Sequence, residues 1–255
     1  MRTVTITRYV TPLREGGSLP GLVEADDDGL YVLKFRGAGL GARALIAELV
    51  AGELARRLGL PVPEIVFAHV DRELSRTEPD PEIHQLIHDS AGLNLAIDYL
   101  PGALNFDPLV HPVNPELASR IVWFDALITN VDRSARNTNM LVWHKAPWLI
   151  DHGSAMYFHH APGWERDAAR ARAPFGGIRD HVLLRFASLL REVDEPLAAR
   201  LPATVIEAVL AAVPDDWLSE RTEATAEEVR QAYLQYFVDR LASPRGFVEE
   251  AAGAR

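Results

Sequence analysis

The chain of 255 residues contains no cysteine. That excludes disulfides, thiolate nucleophiles, iron–sulfur clusters and cysteine-based zinc sites. Lysine is nearly absent as well: Lys34 and Lys145 are the two, against 24 arginines. The plain reading of the bias is a genome composition that favours arginine and alanine codons, and it makes a lysine kept inside an apolar strand conspicuous. Positive charge is in deficit, with 26 basic against 36 acidic residues and a formal net charge of −10. Phosphate-backbone binding needs clustered cations, so direct nucleic-acid binding is not expected. A phosphorylated small molecule remains compatible with such a chain where a metal ion supplies local positive charge. No uncharged apolar run approaches the ~18 residues of a membrane-spanning helix. The opening MRTVTITRYVTPLREGG alternates and lacks the apolar core of a signal peptide. The expectation is a cytoplasmic protein without a membrane segment.

What the chain does contain is ordinary for a folded protein: 48% apolar and 24% charged residues. Strands are expected at 3–10, 22–25, 30–36, 64–70 and 93–100. One helix is expected at 42–58, rich in Ala, Leu, Glu and Arg and stopped by Gly59 and Pro61. The segment 75–83, polar and with two prolines, reads as a surface loop. Beyond Pro101-Gly102 the pattern turns helical. It gives a helix at 115–130, a hairpin at 140–143 and 147–150, a loop from Asp151 to about Arg179, and three or four helices up to about Leu241. The tail Gly253–Arg255 is expected to fray. Trp123, Trp143 and Trp148 are expected in the core of this half. The order implies an α+β protein, with a β-rich lobe at 1–100 carrying one helix and an α-helical lobe at 101–255.

The densest polar run, Thr129 to Asn139, lies between an apolar helix and an apolar strand. That placement suits a functional loop on a rigid scaffold. Nineteen residues after Asp132, the strand Trp148-Leu149-Ile150 ends in Asp151-His152-Gly153. Mg²⁺ takes oxygen ligands and holds nucleotide phosphates through one or two protein groups plus water. Asn137 and Asp151 are candidate metal ligands, and Asp132 is the candidate to orient or deprotonate an acceptor hydroxyl. Asp132 and Asn137 stand five residues apart, the interval of the kinase catalytic loop Asp-x-x-x-x-Asn, and Asp151-x-Gly153 follows as its metal-binding strand end.

With those motifs, TNVDRSARNTNML and WLIDHGSAMYFHH, the sequence resembles the HipA-like kinases, in particular their compact bacterial branch. The resemblance implies a protein-kinase-like two-lobed fold and an ATP- and Mg²⁺-dependent phosphotransferase acting on a hydroxyl acceptor. It implies that Lys34, in Tyr31-Val32-Leu33-Lys34-Phe35, holds the nucleotide phosphates. The helix at 42–58 offers Glu48 and Glu53 as the partner of Lys34. In HipA-like proteins that glutamate stands ten residues before the first Leu of a Leu-Gly-Leu-Pro helix end, which selects Glu48. The strand end Asp98-Tyr99-Leu100 is expected to read adenine through its backbone. The turn containing Gly16, Gly17 and Ser18 is expected to cover the phosphates, without Gly-x-Gly-x-x-Gly spacing. A serine in this loop is autophosphorylated in some relatives, a role that would fall to Ser18. The chain is too short for the additional N-terminal subdomain of full-length HipA and has no Ala-Pro-Glu signature. Substrate preference therefore does not carry over, although the resemblance leaves room for an antitoxin-like regulator.

Each residue also has a plainer reading. Lys34 could guard an edge strand, Asp132 and Asn137 could form a solvated turn, and Glu48 could face solvent. Arg133 could support its loop or contact phosphate, and Asn139 could cap a turn. His152 takes a structural role, His159-His160 lie on the surface, and His84 and His88 form a helix-face pair. Three rival functions stay open: a small-molecule kinase, a nucleotidyl transferase that moves AMP, and a nucleotide-binding module without catalysis.

Overall fold

The computed structural model describes residues 1–13, 19–220 and 222–255. The expected phosphate-covering residues Gly16, Gly17 and Ser18 lie outside them. The chain divides into two compact units, Met1–Leu45 with Pro63–Pro101, and Ile46–Val62 with Gly102–Arg255. A division at residue 100 keeps all of the first helix with the strands, whereas here the helix is shared at Leu45 and Ile46.

The first unit is a closed five-stranded barrel in the order β1-β2-β3-β5-β4. Its strands are β1 (Thr3–Pro12), β2 (Gly21–Ala25), β3 (Leu30–Lys34), β4 (Ile65–Val70) and β5 (Gly92–Asp98). Alternation sends Tyr31 and Leu33 of β3 into the barrel core with Val4, Ile6, Val23 and Val66. A helix, α2 (Pro81–Asp89), adds Ile83 and Ile87 to that core. This corrects the loop expected at 75–83. Pro81 sits at the first helical position, where its missing N–H costs nothing, and Asp80 caps the turn by accepting from the Glu82 N–H. A 3₁₀ turn at Arg72–Thr77 precedes it.

Helix α1 runs Ala42–Leu58. Gly59 ends it in the left-handed region at φ 69°, where a side chain would be strained, and the Leu60 N–H returns to the Ala55 carbonyl at 2.9 Å.

The second unit is built on α3 (Pro115–Leu127), every residue of which from Ile121 onward is buried. Around it lie α4 (Leu190–Ala198), α5 (Ala203–Leu210), α6 (Asp215–Leu218), α7 (Ala226–Leu241) and α8 (Gly246–Ala254). Helix α8 was not expected, and it includes most of the tail read as frayed. Phe247, Val248 and Ala251 bury its face, with Phe247 edge-on to Trp123 at 5.5 Å. A three-stranded sheet in the order β6-β7-β8 joins Leu104–Asn105, Met140–Trp143 and Ala146–Leu149. The two-residue β6 is too short to show a period in sequence. Trp123 is fully buried, but Trp143 and Trp148 are only half-buried on the hairpin, so the expected core role holds for Trp123 alone. Between β8 and α4 the chain makes five short 3₁₀ turns. His159 lies among them and is fully buried beside Tyr233, with 2.9 Å between Nδ1 and the phenol oxygen, which overturns its surface reading. Among the described residues no helix is long and apolar enough to cross a membrane.

Candidate active site

The loop from Ile128 to Asn139 is held from below by buried charge. A carboxylate at position 125, within the apolar run Ile121–Leu127, must find partners or be neutralised. The Asp125 carboxylate finds three partners, and its backbone carbonyl a fourth. It accepts from Asn130 Nδ2 at 2.9 Å and Arg133 Nε at 2.6 Å, its carbonyl accepts the Asn130 N–H at 2.9 Å, and His181 Nε2 lies 2.9 Å from Oδ2. The Leu183 N–H donates to His181 Nδ1 at 3.0 Å, which leaves Nε2 as the protonated nitrogen facing Asp125. Burial pushes the Asp125 carboxyl upward, but Arg133 and His181 outweigh it and hold it well below the usual carboxylate range.

Arg240 of α7 fixes the helix end that feeds this loop. Its buried guanidinium donates to the carbonyls of Ala126 at 2.7 Å and Leu127 at 2.8 Å. These belong to the last turn of α3, where helix carbonyls lack intrahelical partners.

The same framework positions Asp132. Its N–H is received by Asn130 Oδ1 at 3.1 Å. Its Oδ2 accepts from Asn137 Nδ2 at 3.0 Å and Asn139 Nδ2 at 3.1 Å, and Asn139 Nδ2 also reaches the Asp132 carbonyl at 2.7 Å. Two amides thus fix one carboxylate oxygen, and Oδ1 has no protein hydrogen bond among the described residues. Donation through Nδ2 leaves the Asn137 side-chain carbonyl available to a hard cation. Arg133 is buried and donates to the Asn139 carbonyl as well as to Asp125. Of its two sequence readings, the structure shows loop support.

Asp151 follows β8 in a left-handed conformation, φ 54°. The Ile150 N–H donates to the Asn139 carbonyl at 3.0 Å, tying the strand end to the Asp132 loop. His152 is buried, and its backbone N–H donates to Glu48 Oε1 at 3.1 Å. Glu48 is therefore anchored beside Asp151, a contact the sequence did not reveal. Glu53 instead pairs with Arg56 at 3.2 Å near the surface. In the first unit, Lys34 is buried at the end of β3, on the face opposite Leu33 and in register with Leu95. At the expected adenine-reading strand end, the Asp98 N–H donates to Glu64 and the Tyr99 N–H to Leu30. Of that trio, only the Leu100 amide has no protein acceptor among the described residues. Burial, and then the charge of Glu64, push the Asp98 carboxyl upward.

Two residues central to this arrangement, Asp125 and His181, were not singled out in sequence. Asp125 did carry a signal, as the one carboxylate of the apolar run Ile121–Leu127, eight residues before an arginine. His181 carried none, since it arrives from 56 residues away.

A family model described as HipA-like kinase matches residues 6–245. The chain belongs to the HipA-like kinase family. It is an enzyme of the kinase class with a protein-kinase-like α+β fold. No curated protein matches it in sequence. Among solved structures, the kinase is similar to the proinflammatory kinase CtkA of Helicobacter pylori. They share 14% identity over 98% of this chain and 97% of that one, with a TM-score of 0.57. It is also similar to a Golgi casein kinase, with 12% identity, coverage of 96% and 76%, and a TM-score of 0.52. The Mn/ADP-bound structure of that enzyme gives 13% identity, coverage of 96% and 75%, and a TM-score of 0.51. At these identities the likeness concerns the fold.

Proposed function

We propose that this kinase transfers the γ-phosphate of ATP to a hydroxyl acceptor with Mg²⁺ as the working cation. The observation that carries the reading is the Asp132 carboxylate: Oδ2 is fixed by Asn137 and Asn139, and Oδ1 is left to receive a hydroxyl proton. Phosphoryl transfer depends mainly on positioning and on stabilising charge, and this loop is built for positioning.

The donor chemistry fits a hard divalent cation. Asn137 and Asp151 offer oxygens only, and the described residues contain no cluster of three His, Asp or Glu that would form an all-protein cage. Mg²⁺ commonly takes one or two protein groups and completes its shell with phosphate and water. Bound there, it would offset charge on the phosphate oxygens. Asn137 and Asp151 would hold it, Asp132 would orient the acceptor and take its proton, and Lys34 would bind phosphate. Glu48 would support the Asp151 segment through the His152 N–H, and Leu100 would offer its amide to adenine. The Mn/ADP-bound Golgi casein kinase supports nucleotide and divalent-metal use by a protein of this fold.

The test is intact-protein mass spectrometry and acceptor phosphorylation with Mg²⁺-ATP, beside Asp132→Ala. Phosphate increments lost in the variant support the proposal. Adenylate increments would replace it with AMP transfer. Absence of any nucleotide turnover together with absence of nucleotide binding would sink it.

A further inference from the structure

In the first unit, the ladder between β3 and β5 stops at Lys34. Its register runs from Tyr31 opposite Asp98 to Lys34 opposite Leu95, and there β3 ends. The residue of β5 just beyond that last pair is Asn94, which sits opposite Ala68 of β4 on its other side. Asn94 is fully buried. A buried amide must find hydrogen-bond partners to replace its lost water.

Asn94 finds them on both sides of the ladder's end. Its Oδ1 accepts the Arg36 N–H at 2.8 Å. Its Nδ2 donates to the carbonyls of Ser90 at 2.7 Å and Gly92 at 3.0 Å. One side chain thus joins the turn that leads into β5 to the backbone just after Lys34. Ser90, buried at the C-terminal cap of α2, repeats the device one residue further on, where its Oγ accepts the Gly37 N–H at 3.0 Å.

The approach is close. A Cβ on Gly37 would lie 2.9 Å from Ser90 Oγ and 3.3 Å from Asp89 Cβ, so the chain passes the end of α2 with no room for a side chain. The turn then closes with the Ala38 N–H on the Phe35 carbonyl at 3.2 Å. Gly37 itself is exposed, and water could satisfy its amide. The structure gives that amide a buried serine instead. What the two contacts flank gives them meaning. Lysine bears its charge on a flexible four-carbon stem, so its ammonium is aimed only as well as its backbone is held.

We propose that Asn94, with Ser90 beside it, is a positioning residue for Lys34. It acts through the Arg36 and Gly37 amides, fixing the backbone that carries the phosphate-binding ammonium. The inference rests on the phosphate reading of Lys34 and names the groups that set its aim. Neither Asn94 nor Ser90 is assigned a contact with nucleotide.

The test measures affinity for Mg²⁺-ATP and for adenosine by calorimetry, together with thermal midpoints. The intact kinase, Asn94→Ala, Ser90→Ala, Lys34→Ala and the double variant Asn94→Ala with Lys34→Ala are compared. Asn94→Ala should weaken ATP binding by about tenfold, the scale of one hydrogen bond, and leave adenosine binding at the native level. Ser90→Ala removes a single oxygen and should move ATP binding the same way. In the double variant the ATP loss should be no greater than in Lys34→Ala alone, because the effect of Asn94 passes through Lys34. Its thermal midpoint should still fall below that of Lys34→Ala, as loss of a buried amide requires. Unchanged ATP affinity in Asn94→Ala, or in Ser90→Ala should the first variant not fold, would overturn the positioning role. So would equal losses for ATP and adenosine, or additive ATP losses in the double variant. Native ATP affinity in Lys34→Ala would defeat the reading of Lys34 itself, and the positioning role with it.

Discussion

Arg133 Nε donates to Asp125 Oδ2 across 2.6 Å, with neither side chain exposed. The pair joins the last turns of α3 to the residue after Asp132, so a charge buried in a helix sets the position of a carboxylate at the surface of the site. Removing one member of a buried ion pair strands the other and costs about 3–5 kcal/mol. Asp125→Asn should lose stability on that scale in urea or thermal unfolding. A loss below about 1 kcal/mol, the scale of an exposed pair, would mean that the loop is held elsewhere.

The same carboxylate predicts a pH dependence. Its pKa is held below the usual value in the folded state. Its contribution to stability is therefore fully present above about pH 4, the ordinary aspartate pKa, and is lost as pH falls through the depressed folded value. The unfolding free energy of the native kinase should decline below about pH 4 more steeply than that of Asp125→Asn. Parallel curves from pH 5 to 2 would contradict this.

Asp132→Ala should cut phosphoryl transfer by about 10²–10⁴-fold, the usual contribution of a positioned acid–base group, and leave nucleotide affinity intact. Asn137→Ala removes one of the two amides on Asp132 Oδ2 and a candidate metal ligand together. It should therefore lower turnover and raise the Mg²⁺ concentration needed for half-maximal rate. Asn139→Ala should lower turnover without altering the Mg²⁺ requirement, and a matching shift in both variants would count against Asn137 as a ligand.

Asp151 calls for a chosen substitution because its φ is 54°. Alanine there adds backbone strain of about 1–2 kcal/mol, whereas asparagine tolerates the left-handed region. Asp151→Asn should abolish Mg²⁺-dependent nucleotide binding and keep the native thermal midpoint. Retention of Mg²⁺-dependent binding in calorimetry would remove Asp151 from the metal site.

Glu48 can be probed through the amide it receives. Glu48→Gln keeps an oxygen for the His152 N–H, and Glu48→Ala leaves that buried donor unmet, at about 1–3 kcal/mol. Alanine should therefore destabilise the fold by more than glutamine. Equal stability of the two variants would show that the hydrogen bond contributes little.

Local signals were the legible ones. Helix α1 was bounded in sequence by composition, Gly59 and Pro61, because helix stops act within a few residues of themselves. The strands expected at 22–25 and 30–36, the second bearing Lys34, stand at Gly21–Ala25 and Leu30–Lys34. Asp132, Asn137 and Asp151 were singled out by interval, and the first two do meet, side chain to side chain. Proline misled at 81, since it stops a helix from within yet suits its first position.

The sequence alone determined the strand-rich and helix-rich halves, the polar loop between α3 and β7, and the kinase-type spacing on it, all of which depend on near neighbours. Tertiary structure decided that Arg133 supports its loop rather than facing phosphate, that His159 is buried, that α8 packs on Trp123, and that Asp125 gathers Arg133 and His181. The reason is the same in each case. Burial of a charge or a ring is settled by partners that arrive from distant parts of the chain, and no local pattern records which partner will be there.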